Sequence, residues 1–155
     1  MWILVAENSH ARIYSFARRT KALQLVREFS YPRGRAKPRE FYADRPGRSV
    51  DSDHPGRHSM SSRVELRDQE AAKFARELSR YLHKERSLNS FYRLTLIAPP
   101  QFLGALRAAL TPSLQSTVSH EIVKNFASWV SDAEMQARVQ ELMNEPETAV
   151  SELIV

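Results

Sequence analysis

The chain has 155 residues, 42% hydrophobic and 26% charged, which is the size and composition of one globular domain with a sizeable core. It holds no cysteine, which excludes a disulfide framework, a thiolate zinc site and a cysteine nucleophile and suits a reducing cytoplasm. The net charge of +5 is uneven: residues 1–93 carry 20 Lys/Arg against 11 Asp/Glu, and residues 94–155 carry 3 against 7, so an anionic partner such as RNA is expected.

Trp2 to Ala6 is a continuous apolar run, the pattern of a strand buried on both faces in the middle of a sheet. It is too short for a signal peptide, and no other run approaches the ~18 apolar residues of a membrane span. A soluble, cytoplasmic protein with no membrane insertion is therefore expected. After the turn residues Glu7-Asn8-Ser9-His10, the segment Ala11 to Ala17 alternates, with Ala11, Ile13 and Ser15 on one face and Arg12, Tyr14 and Phe16 on the other. Leu23, Leu25 and Phe29 continue the alternation in a third strand, and the three strands read as an antiparallel meander.

Residues 31–63 read as a long basic loop. The segment holds Gly34, Gly47 and Gly56 of the chain's four glycines, and four of its eight prolines. It carries eight Lys/Arg against four Asp/Glu, and its apolar residues have no period. Insertions of this length in a domain are usually functional or disordered.

From Glu65 the spacing becomes helical, with Ala71, Phe74, Ala75, Leu78, Tyr81 and Leu82 on one apolar face. Phe91 to Ala98 reads as a strand that Pro99-Pro100 stops. Phe102, Leu103, Leu106 and Leu110 face inward from a second helix, which ends near Thr111-Pro112. Val118 to Lys124 reads as a further strand. Ser131-Asp132-Ala133-Glu134 is a capping box opening a last helix, in which the serine oxygen takes a free N–H and Glu134 reaches back. Pro146 closes that helix, so one domain over residues 1–146 is expected, with 147–155 a loose tail. The order strand, strand, strand, helix, strand, helix, strand, helix predicts an α/β fold of ribonuclease H-like topology, a mixed five-strand sheet with the first strand at its centre.

The loop offers the richest set of candidate contacts. Arg45, Arg48 and Arg57 stand beside Gly47 and Gly56, and guanidinium forks next to glycines suit phosphate. Ser49, His58 and Tyr42 complete the candidate ligand- or RNA-binding set. The alternative is a turn in which these arginines pair with Asp44, Asp51 and Asp53. Tyr31, Phe41 and Tyr42 interleave with the arginines and suit stacking on bases or a protein, whereas Trp2, Phe74, Phe102 and Trp129 read as packing. Asp51, Asp53, His54 and His58 have ligand chemistry but no regular frame, so no metal and no cofactor is expected. A two-metal nuclease would need carboxylates at the first strand, the first long helix and the fourth strand. Glu7 and one of Glu65, Asp68 or Glu70 supply two, but the fourth strand ends Ile97-Ala98-Pro99-Pro100 without an acid. Ser49, Ser59, Ser61 and Ser62 lie near histidines, but no Gly-x-Ser-x-Gly turn frames them. No catalytic residue is assigned.

Asp44-Arg45-Pro46-Gly47-Arg48-Ser49, Gly56-Arg57-His58-Ser59-Met60 and Ala98-Pro99-Pro100-Gln101-Phe102-Leu103-Gly104-Ala105-Leu106-Arg107 resemble the bacterial host attachment proteins. The opening Trp-Ile-Leu-Val-Ala and the helix segment Phe74-Ala75-Arg76-Glu77-Leu78 fit the same pattern. That family in turn resembles the middle domain of archaeal and eukaryotic peptide-chain release factors, whose Gly-Gly-Gln loop enters the ribosome and promotes peptidyl-tRNA hydrolysis. Here the loop has Pro55-Gly56-Arg57-His58 and no Gly-Gly-Gln. The resemblance therefore implies a loop that faces RNA or the ribosome without hydrolysis. A protein–protein adaptor, homodimeric in one version, is the alternative, and a hydrolase of peptidyl-tRNA or another ester is the third reading.

Overall fold

Strand β1 (Trp2–Ala6) is buried along its whole length, as a continuous apolar run in a sheet centre requires. The computed structural model describes residues 1–35, 57–126 and 129–145. β2 (His10–Ala17) pairs with β1 antiparallel and β3 (Ala22–Ser30) pairs with β2 antiparallel, which is the expected meander. β4 (Leu94–Ala98) lies parallel to β1 on its other side, and β5 (Val118–Val123) lies parallel to β4. The sheet order is β3-β2-β1-β4-β5, mixed and five-stranded, with β1 central.

Four α-helical segments complete the fold among the described residues: α1 (Arg57–Ser87), α2 (Pro100–Ala109), the single turn α3 (Pro112–Gln115) and α4 (Asp132–Asn144). α1, α2 and α3 cover one face of the sheet. There Phe74, Leu78 and Leu82 meet Phe102, Leu103 and Leu106 over Trp2, Leu4, Leu94 and Leu96. α4 covers the other face, where Met135, Val139 and Leu142 pack on Ile3, Val5, Tyr14 and Ile97. β2 divides its side chains between the two layers as its alternation predicts: Ala11 and Ile13 face α1, and Tyr14 and Phe16 face α4.

Three local readings are corrected. In β3, Arg27 is opposite Ile13 but Leu25 is opposite Tyr14, so Val26 is an extra residue and the register shifts there. A bulge of this kind moves the following residues to the opposite face. Leu23 and Leu25 consequently pack on the α4 side while Phe29 packs on the α1 side. The fourth strand starts at Leu94 rather than Phe91, although the Phe91 ring is buried against Trp2 at 4.8 Å. Finally, α1 begins at Arg57 rather than near Glu65, so the last seven residues of the expected 31–63 loop are helical. Among its described side chains the first buried one is Glu70.

The helix ends mostly follow local chemistry. Asn89 takes φ 60 just beyond α1, and the Ser90 N–H reaches back to the Glu85 carbonyl, a left-handed helix stop. Pro100 opens α2 in the first-turn position where its missing N–H costs nothing. The Ser131 oxygen accepts from the Glu134 N–H at 3.3 Å, but the Glu134 carboxylate accepts from Arg138 at 2.9 Å instead of reaching back. Half of the capping box is therefore formed. No helix among the described residues is long and apolar enough to cross a membrane. Residues 147–155, expected as a tail, lie outside the described residues.

Candidate functional site

In a sheet with parallel strands, the carboxyl ends of those strands are where loops converge and ligands most often bind. Here β1 delivers Glu7, Ser9 and His10 to that edge, and the chain leaving β3 delivers Tyr31 and a 3-10 turn at Pro32–Arg35. The segment that carries most of the candidate contacts departs from this turn and rejoins the described chain at the start of α1.

The departure point is clamped. The Tyr31 N–H donates to the Ser9 carbonyl at 2.7 Å, and the Gly34 N–H donates to the Tyr31 carbonyl at 3.0 Å. A Cβ added at Gly34 would stand 1.8 Å from the Asn8 carbonyl oxygen, so only glycine lets the two backbones lie this close. Below the turn sits Glu70 of α1, whose side chain is 4% exposed. It accepts from the Tyr31 hydroxyl, from Arg33 Nε at 3.3 Å and from Lys73 Nζ at 3.4 Å. Burial alone raises the pKa of a carboxyl, but these three donors outweigh it and hold Glu70 below its ordinary value. Burial, with Glu70 as a further cause, pushes the Tyr31 phenol up to about 12. The Tyr31 ring also stacks on Phe74 at 5.0 Å. Tyr31 is thus an anchor of the fold, which corrects its reading as a stacking platform for a partner.

Beside the clamp, the β1–β2 turn closes on itself. Glu7 Oε1 accepts from Ser9 Oγ at 2.6 Å and lies 2.8 Å from His10 Nδ1, with Ser9 Oγ 3.0 Å from the same nitrogen. Ser9 is buried and its hydroxyl proton is directed to Glu7, so the trio fixes a turn rather than arming a nucleophile. The His10 ring stacks on Trp129 at 5.2 Å, and the buried Arg12 guanidinium lies over the same indole at 4.9 Å. Arg12 donates to the Val130 carbonyl at 2.7 Å and to Glu28 at 3.2 Å. Tyr14 donates to Asp132 at 2.9 Å, and burial first, then Asp132, raises its pKa well above the ordinary phenol value.

Tyr42, Arg45, Gly47, Arg48, Ser49 and Gly56 lie outside the described residues, as do Asp51, Asp53 and His54. Arg57 and His58 occupy the first two positions of α1. Of the carboxylates weighed for a metal pair, Glu7 and Glu70 are each committed to internal donors. Among the described residues no three His, Asp or Glu side chains form a group that could hold a metal ion. Sequence reasoning missed Glu70 and Arg12 as joints. The available signal was a charge at a position the local period places on a buried face: Glu70 stands four residues before Phe74, and Arg12 shares a face with Tyr14 and Phe16.

An α/β protein is thereby defined, with a mixed five-strand sheet and a clamped segment leaving the carboxyl edge of its parallel strands. The chain belongs to the family described as protein required for attachment to host cells, which it matches over residues 2–139. No curated protein matches the sequence. Among the solved structures it is similar to a chain titled "Archaeal protein", at 12% identity and a TM-score of 0.50. That match covers 98% of this chain and 35% of the other, and at such identity it concerns the fold alone.

Proposed function

We propose that this host-attachment-family chain is a non-enzymatic RNA- or ribosome-associated factor that contacts its partner through the 31–63 segment, on a ribonuclease H-like framework of the release-factor middle-domain kind. The observation that carries the reading is the clamp. Glu70, Gly34 and the Ser9 carbonyl fix the point where a strongly basic segment leaves the sheet, at the edge where α/β folds present binding loops. The excess of arginine in that segment suits phosphate, and the strand order β3-β2-β1-β4-β5 is compatible with the framework. Attachment to host cells then follows indirectly, through what the partner makes.

The test is co-sedimentation with ribosomes at low and moderate salt, comparing wild type with the triple variant R45A/R48A/R57A. Co-sedimentation of wild type that the variant loses is expected. Equal sedimentation of both, or none of the wild type, overturns the reading.

A protein–protein adaptor is the second reading. It is favoured by Leu88 and Tyr92, which are 63% and 71% exposed on the connection between α1 and β4. Light scattering would then give a dimer or complex mass, and a pull-down would survive nuclease treatment.

A further inference from the structure

Between α1 and the α2–α3 junction runs a groove of about 380 Å³. Its floor is small and already satisfied: Ser79 Oγ donates to the Ala109 carbonyl at 3.0 Å, and the Thr111 hydroxyl accepts from the Leu114 N–H at 3.4 Å. Its rim is cationic. Arg76, Arg80 and Lys84 stand at i, i+4 and i+8, so they form a row with steps of about 6 Å along the helix. All three are exposed, and none is ion-paired with a described residue. Lys73, one turn earlier on the same helix, shows the contrast, because Glu70 engages it. The exposed His83 stands in the same groove between Arg80 and Lys84.

We infer that this groove is a second contact surface, which takes a single RNA strand along its phosphate backbone. A regular row of cations with no ion pair among the described residues, over a neutral floor, matches a polymer that repeats its negative charge, and contacts of this kind go to phosphate rather than to base edges. Arginine forks engage phosphate oxygens in pairs, and the His83 ring supplies one plane for a base. An anionic membrane fits less well, since interfacial helices set their cations beside large apolar side chains and this floor has only Ser79, Ala109 and Thr111. The inference rests on the RNA-associated reading for its ligand class, but not on the 31–63 segment for its contact.

The experiment is fluorescence anisotropy with a labelled oligouridine 15-mer from 50 to 200 mM KCl. It compares wild type, the groove variant R76Q/R80Q/K84Q and the segment variant R45A/R48A/R57A. Glutamine keeps helix propensity at exposed positions, and circular dichroism checks that the variants fold. With three phosphates neutralised and ~0.7 counterion released at each, wild-type affinity should fall about 20-fold more than that of the groove variant across this salt range. Loss in the groove variant with the segment variant unchanged keeps this inference and removes the segment from the proposed function. Loss in the segment variant with the groove variant unchanged overturns this inference alone, and no wild-type binding overturns both. An equal loss of groove-variant binding to polyglutamate or phosphatidylserine vesicles overturns the assignment to an RNA strand.

Discussion

Among the described residues each face of the sheet buries one charge near the carboxyl edge, and the two charges are satisfied in different ways. On the α1 face, Glu70 collects three donors, two of them from the chain that leaves β3. On the α4 face, Arg12 has one carbonyl, one carboxylate that is 45% exposed, and the Trp129 ring, while its Nε has no partner among the described residues. Both act as joints between a strand or helix and a connecting segment. A charge with donors on both of its oxygens holds its segment tightly, whereas one with an unanswered group carries a desolvation cost that offsets much of its attraction.

That comparison is broken most strongly at Gly34. Gly34→Ala must part the chain after β3 from the β1–β2 turn, and we expect a loss of about 3 kcal/mol in urea denaturation, towards the upper end for overpacking. Glu70→Ala should cost about 2 kcal/mol. Most of this comes from the Tyr31 bond, because Arg33 and Lys73 are half exposed and their share is small. Arg12→Met should cost about 1 kcal/mol or less, since the apolar chain removes an incompletely satisfied buried charge. A result in which Arg12→Met is the more damaging of the two would reverse the ranking of the joints. Smallest is Glu134→Ala, which removes an exposed i,i+4 pair, keeps the backbone N–H that the Ser131 cap uses, and should shift stability by only ~0.3–0.5 kcal/mol.

The clamp also sets a pH window. Glu70 is held below the ordinary carboxyl value of 4.5, so its contribution is present at neutral pH and is lost as pH falls below about that value. Tyr31 moves the other way: its contribution is present below 10 and is lost as pH rises from 10 towards 12. Thermal melts across this range should show both limbs in wild type. Glu70→Gln should flatten the acid limb and only shorten the alkaline one, because burial is the largest cause of the Tyr31 shift.

Much of the fold was legible because burial writes a period into sequence. The apolar run Trp2–Ala6 placed the central strand, and the spacing from Ala71 to Leu82 gave the buried stripe of α1. The same dependence on burial hid other features. The first turns of α1 bury none of residues 62–69, so they leave no stripe to read, and the helix start was placed eight residues late. The bulge at Val26 was invisible because one inserted residue changes no residue type, only which face follows. Of the candidate site, the arginine-rich composition was plain. The Glu70 joint was not, since it unites residues 31, 33, 70 and 73 only once the meander has folded onto the helix.

The length of α1 has a kinetic consequence. Its 31 residues extend about 46 Å, while the five-residue strands beneath span about 17 Å. Amide protons from Phe74 to Leu82, under the aromatic layer, should exchange with solvent only through global opening. Those of residues 62–69, none of which is itself buried, should exchange through local fraying, orders of magnitude faster. The helix thus carries a built-in exchange gradient, and any partner that slows the fast end reports its own footprint there.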